Sequence, residues 1–232
     1  MKKMPISFSR LNTFEQCGQK FEYLYVLKSV QDLGSVHTEY GTRVHEGLEL
    51  YGKALLQGGA SAEAVEALEG EHSESAKWFS LVRKLVTRPG DKYFEHQMAL
   101  NADKQPCEWF ADDVWLRGIA DVLIINGDTA YLFDWKTGKV KDDPSQMMIF
   151  ALMTMTHFPQ VQTVKTSFVW LAYGQSTSSV YTRRMLPNLW TALGPRFDKI
   201  QEAVELGVFE AKPSPLCKWC AAKDICPNAR LK

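Results

Sequence analysis

Two alternating runs meet at Asn126-Gly127, and no other stretch constrains the fold as tightly. Asn-Gly between alternating residues is the strongest short-range hairpin signal. Val114 to Ile125 reads as one arm and Tyr131 to Lys136 as the other, ended by Thr137-Gly138. In the second arm aromatics at 131, 133 and 135 alternate with Leu132, Asp134 and Lys136, so Asp134 and Lys136 share a face. A two-residue Asn126-Gly127 turn sets Ile125 against Asp128 and Asp121 against Leu132, diagonal to Asp134 at roughly 7–8 Å. A four-residue loop keeps the same parity. Two carboxylates and a lysine therefore converge on one patch of sheet. Desolvating such charges is costly, and they are rarely kept on a half-buried face without a task.

The rest of the chain supplies helices around that hairpin. Ser7 caps a short helix that brings Cys17 to its far end. Gly34-Ser35 marks a break, and a second helix spans about Thr38 to Leu56, with an apolar stripe at Val44, Leu48, Tyr51 and Leu55. His45 sits beside that stripe. Gln57 to Ser61 reads as a linker, a short helix follows, and another runs from about Ser73 to Val86. Asp91 to Leu100 is the first expected strand and carries Glu95. After the hairpin, Pro144 opens a methionine-rich helix over about Ser145 to His157. Lys165 to Tyr173 and Ser178 to Arg184 alternate like a further hairpin, and Leu189 to Leu206 is a long helix. That order predicts an α/β chain, a mixed sheet flanked by helices with a helical lobe before it.

Composition sets outer bounds. At 232 residues the chain is one large domain, or one domain with a helical insert. Its formal net charge is zero, so a polyanion would be held in a local groove rather than on a basic coat. No apolar run approaches the ~20 residues of a membrane span. The start, Met1-Lys2-Lys3, is basic but lacks the apolar stretch of a secretory signal, and the expectation is a cytoplasmic protein.

Two carboxylates plus an imidazole make a hard, mostly oxygen-donor site suited to Mg²⁺ or Mn²⁺. A lysine beside them can orient or deprotonate a water, or offset charge building at phosphorus. Taken alone, Asp134-x-Lys136 is as readily a surface ion pair, His45 a helix-surface histidine, and Gln146 a polar residue in a first helical turn. Glu95 reads as support or an edge-strand charge and is not counted as catalytic. Cys217, Cys220 and Cys226 form C-x2-C-x5-C, and Cys17 stands near the other end of the chain. Clustered cysteines in a reducing compartment mean metal more often than disulfides. Spacing leaves zinc and iron equally open.

Read together, these pieces resemble the PD-(D/E)XK nuclease superfamily, in particular its RecB-like branch with an iron–sulfur cluster, which includes CRISPR-adaptation exonucleases. The resemblance rests on Ser7-Phe8-Ser9-Arg10-Leu11 with Phe14, Cys17 and Phe21, then Gly41-Thr42-Arg43-Val44-His45. It continues through Arg117-Gly118-Ile119-Ala120-Asp121, Asp134-Trp135-Lys136-Thr137-Gly138, Gln146 and the three C-terminal cysteines. It implies a restriction-endonuclease-like fold in one domain over residues 1–232, with a helical lobe at about 38–88 and a nuclease core at about 91–184. It implies that His45, Asp121 and Asp134 ligate the catalytic metal with the Trp135 carbonyl as a further ligand. Lys136 would assist the attacking water, and Gln146 would steady Lys136 or a DNA phosphate. Cys17, Cys217, Cys220 and Cys226 would hold a [4Fe–4S] cluster joining the two ends of the chain. The implied activity is that of an exonuclease on single-stranded DNA ends in DNA repair, recombination or CRISPR adaptation, with a helicase or integrase as partner. The alternative is a non-catalytic DNA-binding or assembly module of a larger complex. Two positions depart from the family pattern: Phe150 where a tyrosine is common, and Gly18 where a proline is.

Overall fold

A computed structural model describes residues 4–32, 34, 36–58, 61–141 and 143–230. Met1 to Lys3 of the basic start, Ser35 of the expected break, and Gly59 and Ala60 of the expected linker lie outside the described residues. Helix α1 (Phe8–Gln16) starts at Ser7, whose hydroxyl accepts the Arg10 N–H at 3.3 Å, and it ends at Cys17. The short α2 (Gly18–Phe21) runs into a π-helical turn, Glu22–Val26. Then come α3 (Val36–Leu56), α4 (Ala62–Glu71), α5 (Ser73–Ala76) and α6 (Phe79–Val86). The single helix expected over Ser73 to Val86 is therefore two. They part at Lys77-Trp78, where Trp78 Nε1 donates to the Leu171 carbonyl at 3.2 Å, a tertiary bond that sequence periodicity cannot register.

Strands β1 (Asp91–Asn101), β2 (Val114–Asn126) and β3 (Thr129–Lys136) follow, then α7 (Ser145–His157), β4 (Thr163–Trp170), β5 (Gln175–Thr182) and α8 (Leu186–Leu206). The five strands lie in the order β1-β2-β3-β4-β5. β2 and β3 are antiparallel, as are β4 and β5, whereas β3 and β4 run parallel across α7. A parallel pair needs a crossover connection, which α7 provides. This is the mixed α/β sheet flanked by helices of a restriction-endonuclease-like fold.

The hairpin register differs from the expected one. Asn126 pairs with Thr129 and Val122 with Phe133, so the two-residue turn is Gly127-Asp128 rather than Asn126-Gly127. Gly127 has φ +60° at the first turn position, where a type II′ turn needs glycine. The pairing shifts by one residue in each arm and parity is kept; the paired register ends at Val122 and Phe133, and continued one step it would set Asp121 opposite Asp134 instead of diagonal to it.

Packing divides the chain into two compact units. The first comprises residues 1–33, 99–117 and 188–232; the second comprises 34–98 and 118–187. Strands β1 and β2 each have residues in both. In the first unit Ile6 bridges Leu116, and Trp115 packs edge-on against Phe197 with ring centroids 5.5 Å apart. The two ends of the chain are tied by a bidentate Arg196–Glu15 pair and by Gln19 Oε1, which accepts from Asn228 at 2.9 Å. A Cβ on Gly18 would stand 2.9 Å from the Glu210 carbonyl oxygen, so a proline ring at this position would have to displace that backbone.

In the second unit Val44, Leu48 and Tyr51 of α3 join Val82 and Leu85 of α6, Val122 and Ile124 of β2, and Trp135 of β3 in one core. The i, i+4, i+7 stripe of α3 is thus its packing face. Helix α7 is buried nearly all round, with Met147, Met153 and Met155 filling the core. It lies so close to β2 that a Cβ on Gly118 would meet Met153 Sδ and Phe150 Cε1 at 3.1 Å. Phe150 fills that contact.

Candidate active site

Four elements of the second unit deliver the polar side chains: His45 from α3, Glu95 from β1, Asp121 from β2, and Asp134 with Lys136 from β3. Each arrives by a backbone rule. His45 is one step off the apolar stripe of α3, so it lies at the rim of the core rather than within it. Asp121 immediately precedes Val122, whose pairing with Phe133 is the one furthest from the turn. There the ladder gives way to a side chain: the Trp135 N–H donates to Asp121 Oδ2 at 2.6 Å. Trp135 is itself buried in the core, which holds that amide in place.

His45 Nδ1 lies 3.4 Å from Asp121 Oδ1. Glu95 completes a group of three whose ligand atoms all lie within 4.8 Å of one another. These residues line an open cavity of about 360 Å³ with Gly41, Thr42, Glu46 and Glu49. Asp134 is 3 % exposed. Its Oδ1 accepts from Gln146 Nε2 at 2.7 Å, and its Oδ2 is ion-paired with the Lys136 ammonium at 2.5 Å. Lys136 Nζ donates to Gln146 Oε1 at 3.0 Å, so the glutamine bridges acid and amine.

The electrostatics are those of crowded acids. Burial, and then the charge of Asp121, pushes Asp134 up to about 7 against the pull of Lys136. Burial and the same neighbour push Glu95 up to about 7. Burial opposes protonation of His45, but its bond to Asp121 and the charges of Asp121, Asp134 and Glu95 outweigh that and raise its pKa. Glu95 and Asp121 thus meet at His45, Asp134 stands within reach of the charge of Asp121, and Lys136 pairs with Asp134. Such a donor set fits a hard divalent cation, which would relieve the repulsion.

Of the residues singled out from sequence, His45 and Asp121 stand together, and Asp134, Lys136 and Gln146 form a bonded set beside them. Glu95, left aside as support, stands with the first two. It has φ +48°, a left-handed backbone within a strand that is uncommon for glutamate. A backbone outlier of this kind has no sequence signature; only its charge between Phe94 and Met98 hinted at it.

The four cysteines Cys17, Cys217, Cys220 and Cys226 line one cavity of about 280 Å³ in the first unit. Cys17 Sγ accepts the N–H groups of Lys20 at 3.5 Å and Lys212 at 3.4 Å, and Cys217 Sγ accepts that of Ser214 at 3.3 Å. The Cys226 thiol donates to Gln19 Oε1 at 3.2 Å. Among the described residues no three of these sulfurs come within 4.8 Å of one another. Cys107 does not line this cavity.

Comparison with known proteins bears on family and fold. The profile of the PD-(D/E)XK nuclease superfamily matches residues 5–227. The Gene 69 protein of Mycobacterium phage D29 is 26 % identical over 120 residues, half of this chain, and that of Mycobacterium phage L5 is 29 % identical over 121. The matches span 44 % and 41 % of those relatives' own lengths. A crystal structure from Eubacterium rectale, of a protein named as a candidate exonuclease, superposes with a TM-score of 0.50 at 12 % identity. It covers 93 % of this chain and 86 % of its own. At that identity the likeness is one of fold.

Proposed function

The chain belongs to the PD-(D/E)XK nuclease superfamily, and on that premise we propose that it hydrolyses DNA phosphodiester bonds with Mg²⁺ or Mn²⁺, as an exonuclease on single-stranded ends. The observation that carries this reading is the meeting of His45, Glu95 and Asp121 beside the ion-paired Asp134 and Lys136. His45, Asp121 and Asp134 hold the cation, with the Trp135 carbonyl and, added from the geometry, Glu95. A bound divalent ion supplies Lewis-acid polarisation of a phosphoryl oxygen and a more acidic water. Asp121 is the pivot: one oxygen faces His45 while the other is anchored by the Trp135 amide. Lys136, steadied by Gln146, would assist the attacking water. Gln146 fixes Asp134 as well, so one side chain orients acid and amine together.

The test is degradation of end-labelled single-stranded DNA with Mn²⁺ or Mg²⁺ by the wild type and Lys136→Ala. Loss of one general acid–base group costs about 10²–10⁴-fold in rate. Two inactive proteins, or two equally active ones, would remove the catalytic assignment. Comparing blocked 5′ and 3′ ends and a circular substrate separates exonuclease from endonuclease action.

At the cysteine cavity the proposal is a [4Fe–4S] cluster. Backbone N–H groups aimed at sulfur favour thiolate ligation. A tetrahedral Cys₄ zinc site places its sulfurs ~3.8 Å apart, from Zn–S bonds of ~2.3 Å; the choice of iron over zinc rests on the family resemblance. Anaerobically purified protein should be brown and contain iron. A colourless protein with one zinc per chain would overturn this. A role in DNA repair, recombination or CRISPR adaptation, and a helicase or integrase partner, rest on the resemblance alone.

A further inference from the structure

The loop between β1 and β2, in the first unit, carries a feature that neither cavity uses. Phe110 is 85 % exposed, an unusual place for a phenylalanine. Behind it the Arg117 guanidinium lies 5.7 Å from the Phe110 ring centroid and 5.1 Å from that of Trp109. Arg117 Nε is buried and has no hydrogen-bond partner. A second guanidinium, that of Arg10, lies 5.2 Å over the Tyr25 ring, and Arg117 donates its backbone N–H to the Ile6 carbonyl at 2.8 Å, one residue from the carbonyl that Arg10 holds. Arg10 is half-buried and donates to the Pro5 carbonyl. Glu108 and Asp113 belong to the same loop, yet among the described residues neither Arg10 nor Arg117 is ion-paired with a carboxylate. Two cations with no ion-paired carboxylate, next to an open aromatic face, suit an anion attached to a flat ring.

We propose that Arg10, Arg117 and Phe110 bind one nucleotide of a DNA strand, the phosphate on the guanidinium pair and the base stacked on Phe110. This rests on DNA being the substrate, and it adds a strand-holding subsite to that reading. The chemistry matches single-stranded recognition, in which bases stack on aromatic side chains and arginine tracks the backbone. Stacking of this kind tolerates any base, so the subsite would secure the strand without reading its sequence.

The experiment is fluorescence anisotropy of a labelled oligo(dT) in EDTA, where nothing is cleaved, over a salt series. Phe110→Ala should weaken binding about tenfold, and Phe110→Trp should restore it. Arg117→Gln should reduce the salt slope by about 0.7, the share of one phosphate on a single strand. Phe110 is so exposed that its removal leaves folding untouched, which thermal melts check. Unchanged affinity in Phe110→Ala together with an unchanged slope in Arg117→Gln would overturn the subsite and leave the patch to a protein partner. A protein that binds DNA through Phe110 but cleaves none would retain the subsite and lose the catalytic reading, so the two failures are distinguishable.

Discussion

The two cavities are built on opposite principles. The acidic one in the second unit is set by regular structure: sheet register places Asp121 and Asp134, and the stripe of α3 places His45. The cysteine one in the first unit is strung on turns and short 3₁₀ segments, Pro215–Trp219 and Pro227–Arg230, with Cys17 at a helix end. In the acidic cavity the scaffold is rigid and the charges are in conflict. In the cysteine cavity the side chains are in accord, and the scaffold has little apolar packing of its own: Leu216, Trp219 and Ile225 are all exposed. A site on strands can therefore tolerate electrostatic strain, whereas a site on turns would depend on a bound group for stability.

Substitution in each cavity should break in a different observable, and this contrast is the largest effect expected. Asp121→Asn removes the carboxylate shared by His45 and the Trp135 amide. Degradation of single-stranded DNA should fall by about 10³-fold or more while the melting temperature holds or rises, because repulsion with Asp134 and Glu95 is relieved. Cys220→Ser should do the reverse: a lower melting temperature, with activity lost only in proportion to the folded fraction. Parallel melts and rate measurements decide it. If Asp121→Asn unfolds the protein, or Cys220→Ser abolishes rate without touching stability, the comparison is wrong.

Much of this was legible in the chain, for reasons that can be named. Period-two alternation marked β3 and put Asp134 beside Lys136, and the Ser145–His157 helix was bounded by its proline. The exact turn was not legible, because Asn126-Gly127 and Gly127-Asp128 both suit a two-residue hairpin and only the pairing of whole strands selects between them. Nor was the break at Trp78, which depends on the distant Leu171 carbonyl. Glu95 was hardest: a charge on a strand is ordinary, and its left-handed backbone appears only in three dimensions.

The acid crowding can be tested without any variant. Asp134, Glu95 and His45 all have raised pKa values in the folded chain, so between the ordinary carboxylate range and about 7 the native state holds more protons than the unfolded one. Stability then falls as pH rises through that window. Melts in EDTA should show a lower melting temperature at about pH 7.5 than at about pH 5.5, and saturating Mn²⁺ should flatten or invert the trend, since a cation favours the ionised acids. A metal-free protein whose stability climbs across that window would mean the acids are not in conflict.

The smallest effects sharpen how tightly each unit is packed. Gly18→Ala would press a methyl to 2.9 Å and 3.0 Å from backbone atoms of Glu210, which have little freedom to yield. Gly118→Ala would meet Met153 Sδ and Phe150 Cε1 at 3.1 Å, both ends of side chains and one of them a flexible thioether. Overpacking costs about 1–3 kcal/mol, and we expect Gly18→Ala near the top of that range and Gly118→Ala near the bottom. Urea melts of the two variants measure this directly. Because Phe150 packs against Gly118 where the family often carries a tyrosine, Phe150→Tyr is the companion variant. If it leaves both stability and cleavage rate unchanged, the missing hydroxyl has no part in the site, and the phenylalanine is there for its fit against the sheet.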